Sequence, residues 1–188
     1  MQRLIASASS TLALAAALTG CATAPPPSHA APQLRLAPAL LGHPLNLQQH
    51  LTLQAPGREQ QLDVLLEADA RHVQMGVLAM GQVAARLAWD GATLSESKAP
   101  WWPEAVSGAR ILSDLQLTLW PAAAIQVALP LGWRLVEAGD VRTLTQDGQV
   151  VTVITRTAPG VVELDQRREH FRLKIESRDL GDDAAPAP

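Results

Sequence analysis

The sequence predicts a mainly β protein, in which a helix covers a strongly curved antiparallel sheet or an open barrel. Three observations predict this fold class. Apolar and polar residues alternate along most of the chain, turn-forming pairs separate the alternating runs every eight to twelve residues or so, and one stretch has helical spacing instead. The 188 residues, 47% of them hydrophobic, suffice for one such domain with short extensions.

Residues 1–20 have the pattern of a secretory signal peptide. The run Leu4–Leu18 carries no charge, and as a helix it would cover roughly 22 Å, short of the ~30 Å hydrocarbon core of a bilayer. Residues 18–21 read Leu-Thr-Gly-Cys, which resembles the lipobox of bacterial lipoproteins. The resemblance implies that Cys21 carries acyl chains. Because Cys21 is the only cysteine, a disulfide or a multi-thiolate metal site within one chain is excluded.

Residues 21–44 are expected to be the lipidated cysteine and a tether, since residues 22–44 contain six prolines and no sustained apolar period. Extended polyproline geometry, at about 3.1 Å per residue, lets such a tether span up to roughly 60 Å. In the lipoproteins that this signal resembles, Asp after the cysteine favours retention at the inner membrane, so the resemblance implies that a protein with Ala22 reaches the outer membrane, with its body facing the periplasm. Residues 45–179 are expected to be the body, and residues 180–188 a frayed tail.

About nine strands are predicted from the period-two alternation. Pairs that favour tight turns join several of them, namely Ala70-Arg71, Met80-Gly81, Asp90-Gly91, Gly139-Asp140, Asp147-Gly148 and Pro159-Gly160. The strands are expected at residues 61–67, 72–80, 83–90, 92–97, 132–137, 141–146, 149–155, 161–165 and 170–176.

One stretch has helical spacing. Between Glu104 and Leu119 the apolar residues recur at intervals of three, four and five, which predicts a helix. Pro121 and Pro130 bound a shorter segment, residues 122–129, which is either a turn or a second helical piece. The helix is expected to cover the concave face or one mouth of the sheet, which is then either filled by its own side chains or open to an apolar guest.

Composition and motifs exclude several functions. A net charge of -3 and a pI of about 5.9 are unlike the basic footprint that binds nucleic acids. No Gly-x-Ser-x-Gly, His-Glu-x-x-His or glycine-rich phosphate loop is present, so we expect no enzyme activity, no cofactor and no metal. A hydrolase whose serine, histidine and aspartate come from distant segments remains a weaker alternative.

The order of lipobox, strands and central helix is similar to that of the outer-membrane lipoprotein receptor LolB and of uncharacterised bacterial lipoproteins with a LolA/LolB-like fold. The resemblance covers roughly residues 45–178. It is carried by residues 62–66, 76–81 (Gly-Val-Leu-Ala-Met-Gly), 89–91 (Trp-Asp-Gly), 112–121 and 132–133. It implies an eleven-stranded half-open barrel, an apolar interior for acyl chains, and a projecting leucine at an exposed turn. Leu78, Met80 and Gly81 occupy the place of that turn.

We therefore expect a monomeric, non-enzymatic lipoprotein that binds an acyl chain such as palmitate, or a lipid-like amphiphile, by hydrophobic burial. It would take part in transfer of lipoproteins, lipids or a polyene product. The alternative is an envelope scaffold with a filled barrel and no ligand, which binds another protein through a strand edge or the Trp101-Trp102 loop. The predicted cavity residues are Leu62, Val64, Leu66, Val73, Met75, Val77, Leu87, Trp89, Ile111, Leu115, Leu119, Trp133 and Phe171.

Overall fold

The computed structural model describes residues 31–104 and 106–181, so Cys21, the predicted signal peptide and residues 182–188 lie outside it. The described chain contains one 3-10 turn, two α-helices and ten strands. Their bounds are Pro38–Leu41 for the 3-10 turn, Gly108–Leu119 (α1), Ala122–Ala128 (α2), Leu45–Ala55 (β1), Arg58–Ala68 (β2), Val73–Ala79 (β3), Gln82–Trp89 (β4), Leu94–Lys98 (β5), Trp133–Ala138 (β6), Val141–Gln146 (β7), Gln149–Ala158 (β8), Val161–Gln166 (β9) and Phe171–Asp179 (β10).

All these strands form one antiparallel sheet in the order β5-β4-β3-β2-β1-β10-β9-β8-β7-β6. The first and last strands pair at its centre, where Leu51 lies opposite Ile175. The edge strands β5 and β6 do not pair with each other, so the sheet is open. The prediction of a mainly β, antiparallel fold with a helix is confirmed, and the described residues contain ten strands where the resemblance implied eleven.

Local irregularities bend this sheet. The register shifts between Val77 and Leu78, opposite the fully buried Ala84, and again between Leu144 and Thr145, opposite the fully buried Val151. An extra residue in one strand of a pair increases twist and bends that strand. A third shift lies between Arg156 and Ala158 of β8, so both halves of the sheet are bent, as a sheet wrapped around a helix requires.

Strand β1 was not predicted, although most of its alternate residues are leucines. Gln49 stands in the middle of that apolar set and is buried, because its Nε2 donates to Ser177 Oγ at 3.0 Å. That partner is 128 residues away in sequence. A polar residue satisfied by so distant a partner interrupts the periodicity on which the prediction depends.

The helices differ from expectation at their boundaries. Helix α1 begins at Gly108, four residues later than predicted, because Ser107 is its N-cap and its Oγ accepts from the Arg110 amide at 3.3 Å. Residues 122–128 form α2, which decides between the two alternatives for that segment.

Helix α1 is held at both ends. At its start, the Gly108 amide donates to Glu96 Oε2 on β5 at 2.6 Å. At its end, Arg142 on β7 donates from Nη1 to the carbonyl oxygens of Leu117 and Trp120, both at 2.8 Å. A cation at a helix C-terminus is favourable, because the last carbonyls lack helical partners and carry partial negative charge.

Residues 31–41, called the strap below, pack across α1 instead of extending into solvent. Leu34, Leu36 and Leu41 are buried in the main core. Trp89 Nε1 donates to the Leu36 carbonyl oxygen at 2.8 Å. The prediction that the tether continues to residue 44 is therefore wrong for this segment, because the alternation of Leu34 and Leu36 buries both side chains despite the nearby prolines.

Candidate functional site

The residues predicted to line a cavity all belong to one core between the sheet and α1. Several are buried, and the others are partly buried and pack against that core. The buried ones are Val64, Leu66, Val73, Met75, Val77, Leu87 and Trp89, and the partly buried ones are Leu62, Ile111, Leu115, Leu119, Trp133 and Phe171.

On the β3–β5 side, these side chains fill the space that they enclose. The void among them is about 10 Å³, near the smallest volume that holds one water molecule. It is lined by Val73, Met75, Leu87, Trp89, Leu94, Leu112 and Leu115. An acyl chain does not fit there, so of the two alternatives for the interior, this part of the core is filled by its own side chains.

The centre of the inner face is less completely covered. Leu51 lies opposite Leu62 on one side and Ile175 on the other, and Leu53 lies opposite Leu173 in the next inward row. Of these five side chains, which we call the aliphatic strip, only Ile175 is buried, and the other four are partly exposed.

Arg110 lies beside Phe171 at the end of the sheet where β9 turns into β10. Its Nε donates to Asp114 Oδ2 at 2.7 Å, its Nη1 pairs with Glu169, and its guanidinium lies 5.8 Å from the Phe171 ring centroid. Burial raises the pKa of Asp114, although the attraction of Arg110 opposes that shift. Gln166 completes the cluster: in the orientation that satisfies its whole amide, its oxygen accepts from Arg110 Nη2 at 3.0 Å.

An open groove of about 600 Å³ adjoins this cluster, between the β1–β2 and β9–β10 turns. Asp165 lies in it between two arginines, with Oδ2 3.5 Å from Arg167 Nε and Oδ1 3.7 Å from Arg172 Nε. Its walls are formed by Gln54, Ala55, Pro56, Asp165, Gln166, Arg167, His170, Phe171 and Arg172. We call it the arginine groove. Of these lining residues, sequence reasoning predicted only Phe171 as a site residue. It noted the cluster of Glu163, Asp165 and Glu169 with Arg167 and Arg168, but the strand period assigned that cluster to a solvated face.

Met80 projects from the β3–β4 turn, at the same end of the sheet as the arginine groove. It is 91% exposed and adopts the left-handed conformation, with φ 52° followed by φ 74° at Gly81. Asparagine or glycine adopts such a conformation at lower cost. Leu78 is partly buried within β3, so of the residues predicted for the exposed turn, Met80 is the apolar side chain that projects.

Two further findings concern the described part of the chain. None of its helices has both the length and the apolar content needed to cross a membrane. No three histidine, cysteine, aspartate or glutamate side chains there come together as a metal site.

Fold and site define a mainly β domain, with an open antiparallel sheet around one helix and a charged groove at the rim. Residues 46–179 match the family described as "Protein of unknown function (DUF3261)". Since that match spans most of the 188 residues, the chain belongs to this family. A comparison with curated proteins found no match.

Proposed function

We propose that this protein is a non-enzymatic outer-membrane lipoprotein that binds an acyl chain or a lipid-like amphiphile on a LolA/LolB-like half-barrel. Acylated Cys21 would anchor it, with its body in the periplasm. The aliphatic strip carries this proposal, since leucines on adjacent strands face the interior and stay partly uncovered. An apolar surface of that kind gains free energy when hydrocarbon covers it.

The free energy available from such burial suffices for reversible capture. A sixteen-carbon chain has about 400 Å² of apolar surface, worth on the order of 10 kcal/mol at roughly 25 cal/mol per Å², before the costs of association. The strip covers only part of such a chain, so the free energy of binding is correspondingly smaller. A smaller free energy of binding suits a protein that receives a ligand and passes it on.

Met80 supplies a second element of the proposed transfer. A methionine that is 91% exposed in a left-handed turn gains nothing from the protein core, whereas a flexible apolar side chain inserts readily into a lipid surface. We assign to Met80 the role that the resemblance gives to the projecting leucine of LolB.

Native mass spectrometry and displacement of a fluorescent fatty acid test the binding. Leu53→Gln places an amide in the strip and should weaken fatty-acid binding at least tenfold. Leu65→Gln is the matched control, because Leu65 is 50% exposed on the opposite face of β2. A wild-type protein that carries no co-purified lipid and binds no fatty acid would overturn the proposal, as would equal effects of the two variants.

A scaffold function is the second candidate, and the filled core beneath β3–β5 favours it. Trp101 lies in the segment before α1 and is half-exposed, so a partner protein could contact its side chain. Native mass spectrometry and fatty-acid displacement also distinguish the scaffold from the carrier. A scaffold carries no lipid, and Leu53→Gln leaves its binding to a partner protein unchanged.

A further inference from the structure

We infer that the ligand carries a compact anionic head, a carboxylate or phosphate, and that the arginine groove holds it. This inference rests on the proposed function, because it assigns the polar end of the amphiphile whose chain covers the aliphatic strip. A volume of about 600 Å³ lies within the range of small-molecule sites. The groove is open to solvent, as a head group that enters and leaves with its chain requires.

The charges of the groove favour an anion. Arg167 and Arg172 share the one carboxylate among the lining residues, Asp165, and both N···O distances exceed those of ordinary charged hydrogen bonds. Glu169, the other nearby acid, pairs with Arg110 instead. The lining side chains therefore carry an excess of positive charge, and guanidinium groups match the planar, two-oxygen geometry of carboxylate and phosphate.

The groove is continuous with the strip. Phe171 lines the groove and points to the inner face of β10, where the next inward residue is Leu173. Ala55 lines the groove in the same way, and the preceding inward residue of β1 is Leu53. Two inward positions along a strand are separated by roughly 7 Å. Phe171 and Ala55 are thus the positions at which a chain leaving the groove would pass onto the inward leucines, whereas Asp165 and Arg172 lie at the outer edge of the same rim.

His170 adds a local feature of the same site. It lines the groove with φ 57°, a left-handed conformation that costs non-glycine residues free energy and that recurs at ligand sites. This conformation turns the chain from the charged loop into β10, so that Phe171 faces inward while Arg172 stays on the outer side of the groove.

Ligands that share a ten-carbon chain but differ in the head test the inference. Decanoate and decyl phosphate should bind the purified full-length protein at least tenfold more tightly than 1-decanol, and decyltrimethylammonium should bind no better than 1-decanol. The double variant Arg167→Gln/Arg172→Gln should abolish that preference and leave 1-decanol binding unchanged. Arg86→Gln, on the outer face of β4, is the control and should change nothing.

Each other outcome has a definite meaning. If 1-decanol binds as tightly as decanoate, the inference that the groove holds an anionic head is wrong, while the proposed function stands. The same holds if the double variant still binds decanoate more tightly than 1-decanol. If no amphiphile binds, both fail. If inorganic phosphate alone binds as tightly as decyl phosphate, the groove is a free oxyanion site and its link to the strip is overturned. If only vesicles of anionic lipid are bound, the groove contacts a membrane surface and holds no single ligand.

Both arginines are largely exposed, so circular dichroism should report an unchanged fold.

Discussion

Gln116 of α1 and Leu36 of the strap exchange two hydrogen bonds, each 2.9 Å long. The Leu36 amide donates to Gln116 Oε1, and Gln116 Nε2 donates to the Leu36 carbonyl oxygen. The side-chain amide thus takes the place that a neighbouring strand would have beside the strap. Ser113 repeats this arrangement one turn earlier, since its Oγ accepts from the Leu34 amide at 2.9 Å. The strap is held by the same helix that covers the sheet.

Gln116→Ala should release the strap. The substitution leaves the buried Leu36 amide without a partner, which costs about 1–3 kcal/mol, while the Leu36 carbonyl oxygen keeps its hydrogen bond from Trp89 Nε1. Hydrogen exchange followed by mass spectrometry should show faster exchange at residues 31–41. Gln74→Ala, at an exposed position of β3, is the control, and equal exchange in the two variants would contradict this role of Gln116.

Arg142→Met should destabilise the protein by about 1–3 kcal/mol for each of the buried Leu117 and Trp120 carbonyl oxygens, because both lose their side-chain donor. Arg142 is 3% exposed, and its guanidinium caps α1 and also donates from Nη2 to Glu137 Oε1 at 3.0 Å. Urea unfolding measures the loss. The same change at the exposed Arg134 of β6 should cost little, and a similar loss in both variants would show that the capping is unimportant.

Met80→Asn should stabilise the fold while it weakens contact with lipid. Asparagine tolerates the left-handed conformation, so we expect a gain of about 1 kcal/mol in the free energy of unfolding. Flotation with vesicles should recover less of the variant than of the wild type. Leu65→Asn removes an exposed apolar residue elsewhere, and its flotation should be unchanged. Unaltered flotation of Met80→Asn would remove Met80 from the proposed transfer.

Asp114→Asn should raise stability at neutral pH. Burial raises the pKa of Asp114, so the folded state binds a proton there more readily than the unfolded chain does. The contribution of this group to stability is therefore present at low pH and is lost as the pH rises through the raised pKa. The asparagine oxygen still accepts from Arg110 but has no charge to desolvate.

Unfolding at pH 7 and at pH 4 checks that sign. The advantage of Asp114→Asn over the wild type should be largest at pH 7 and should narrow at pH 4. Asp140→Asn, in the exposed β6–β7 turn, serves as the comparison. A variant that is less stable than the wild type at pH 7 would mean that attraction to Arg110 outweighs the effect of burial.

Alternation and turn pairs were sufficient to predict most strands, because each inward side chain contacts neighbours that follow the same period. Alternation and turn pairs did not predict the segments in which a residue is buried through contact with a partner far away in the sequence. Gln49 is buried only because Ser177 accepts its hydrogen bond, and Leu34 and Leu36 are buried only because α1 receives the strap. The arginine groove forms from two turns more than a hundred residues apart, and no local pattern brings Pro56 and His170 together.

Helix α1 spans the curved sheet, because its two ends are attached to strands on opposite sides of it. One end is joined to edge strand β5 through Glu96, and the other to β7, beside the opposite edge, through Arg142. Since β5 and β6 share no hydrogen bonds, the twelve residues of α1, about 18 Å in length, are a direct link between the two sides of the open sheet.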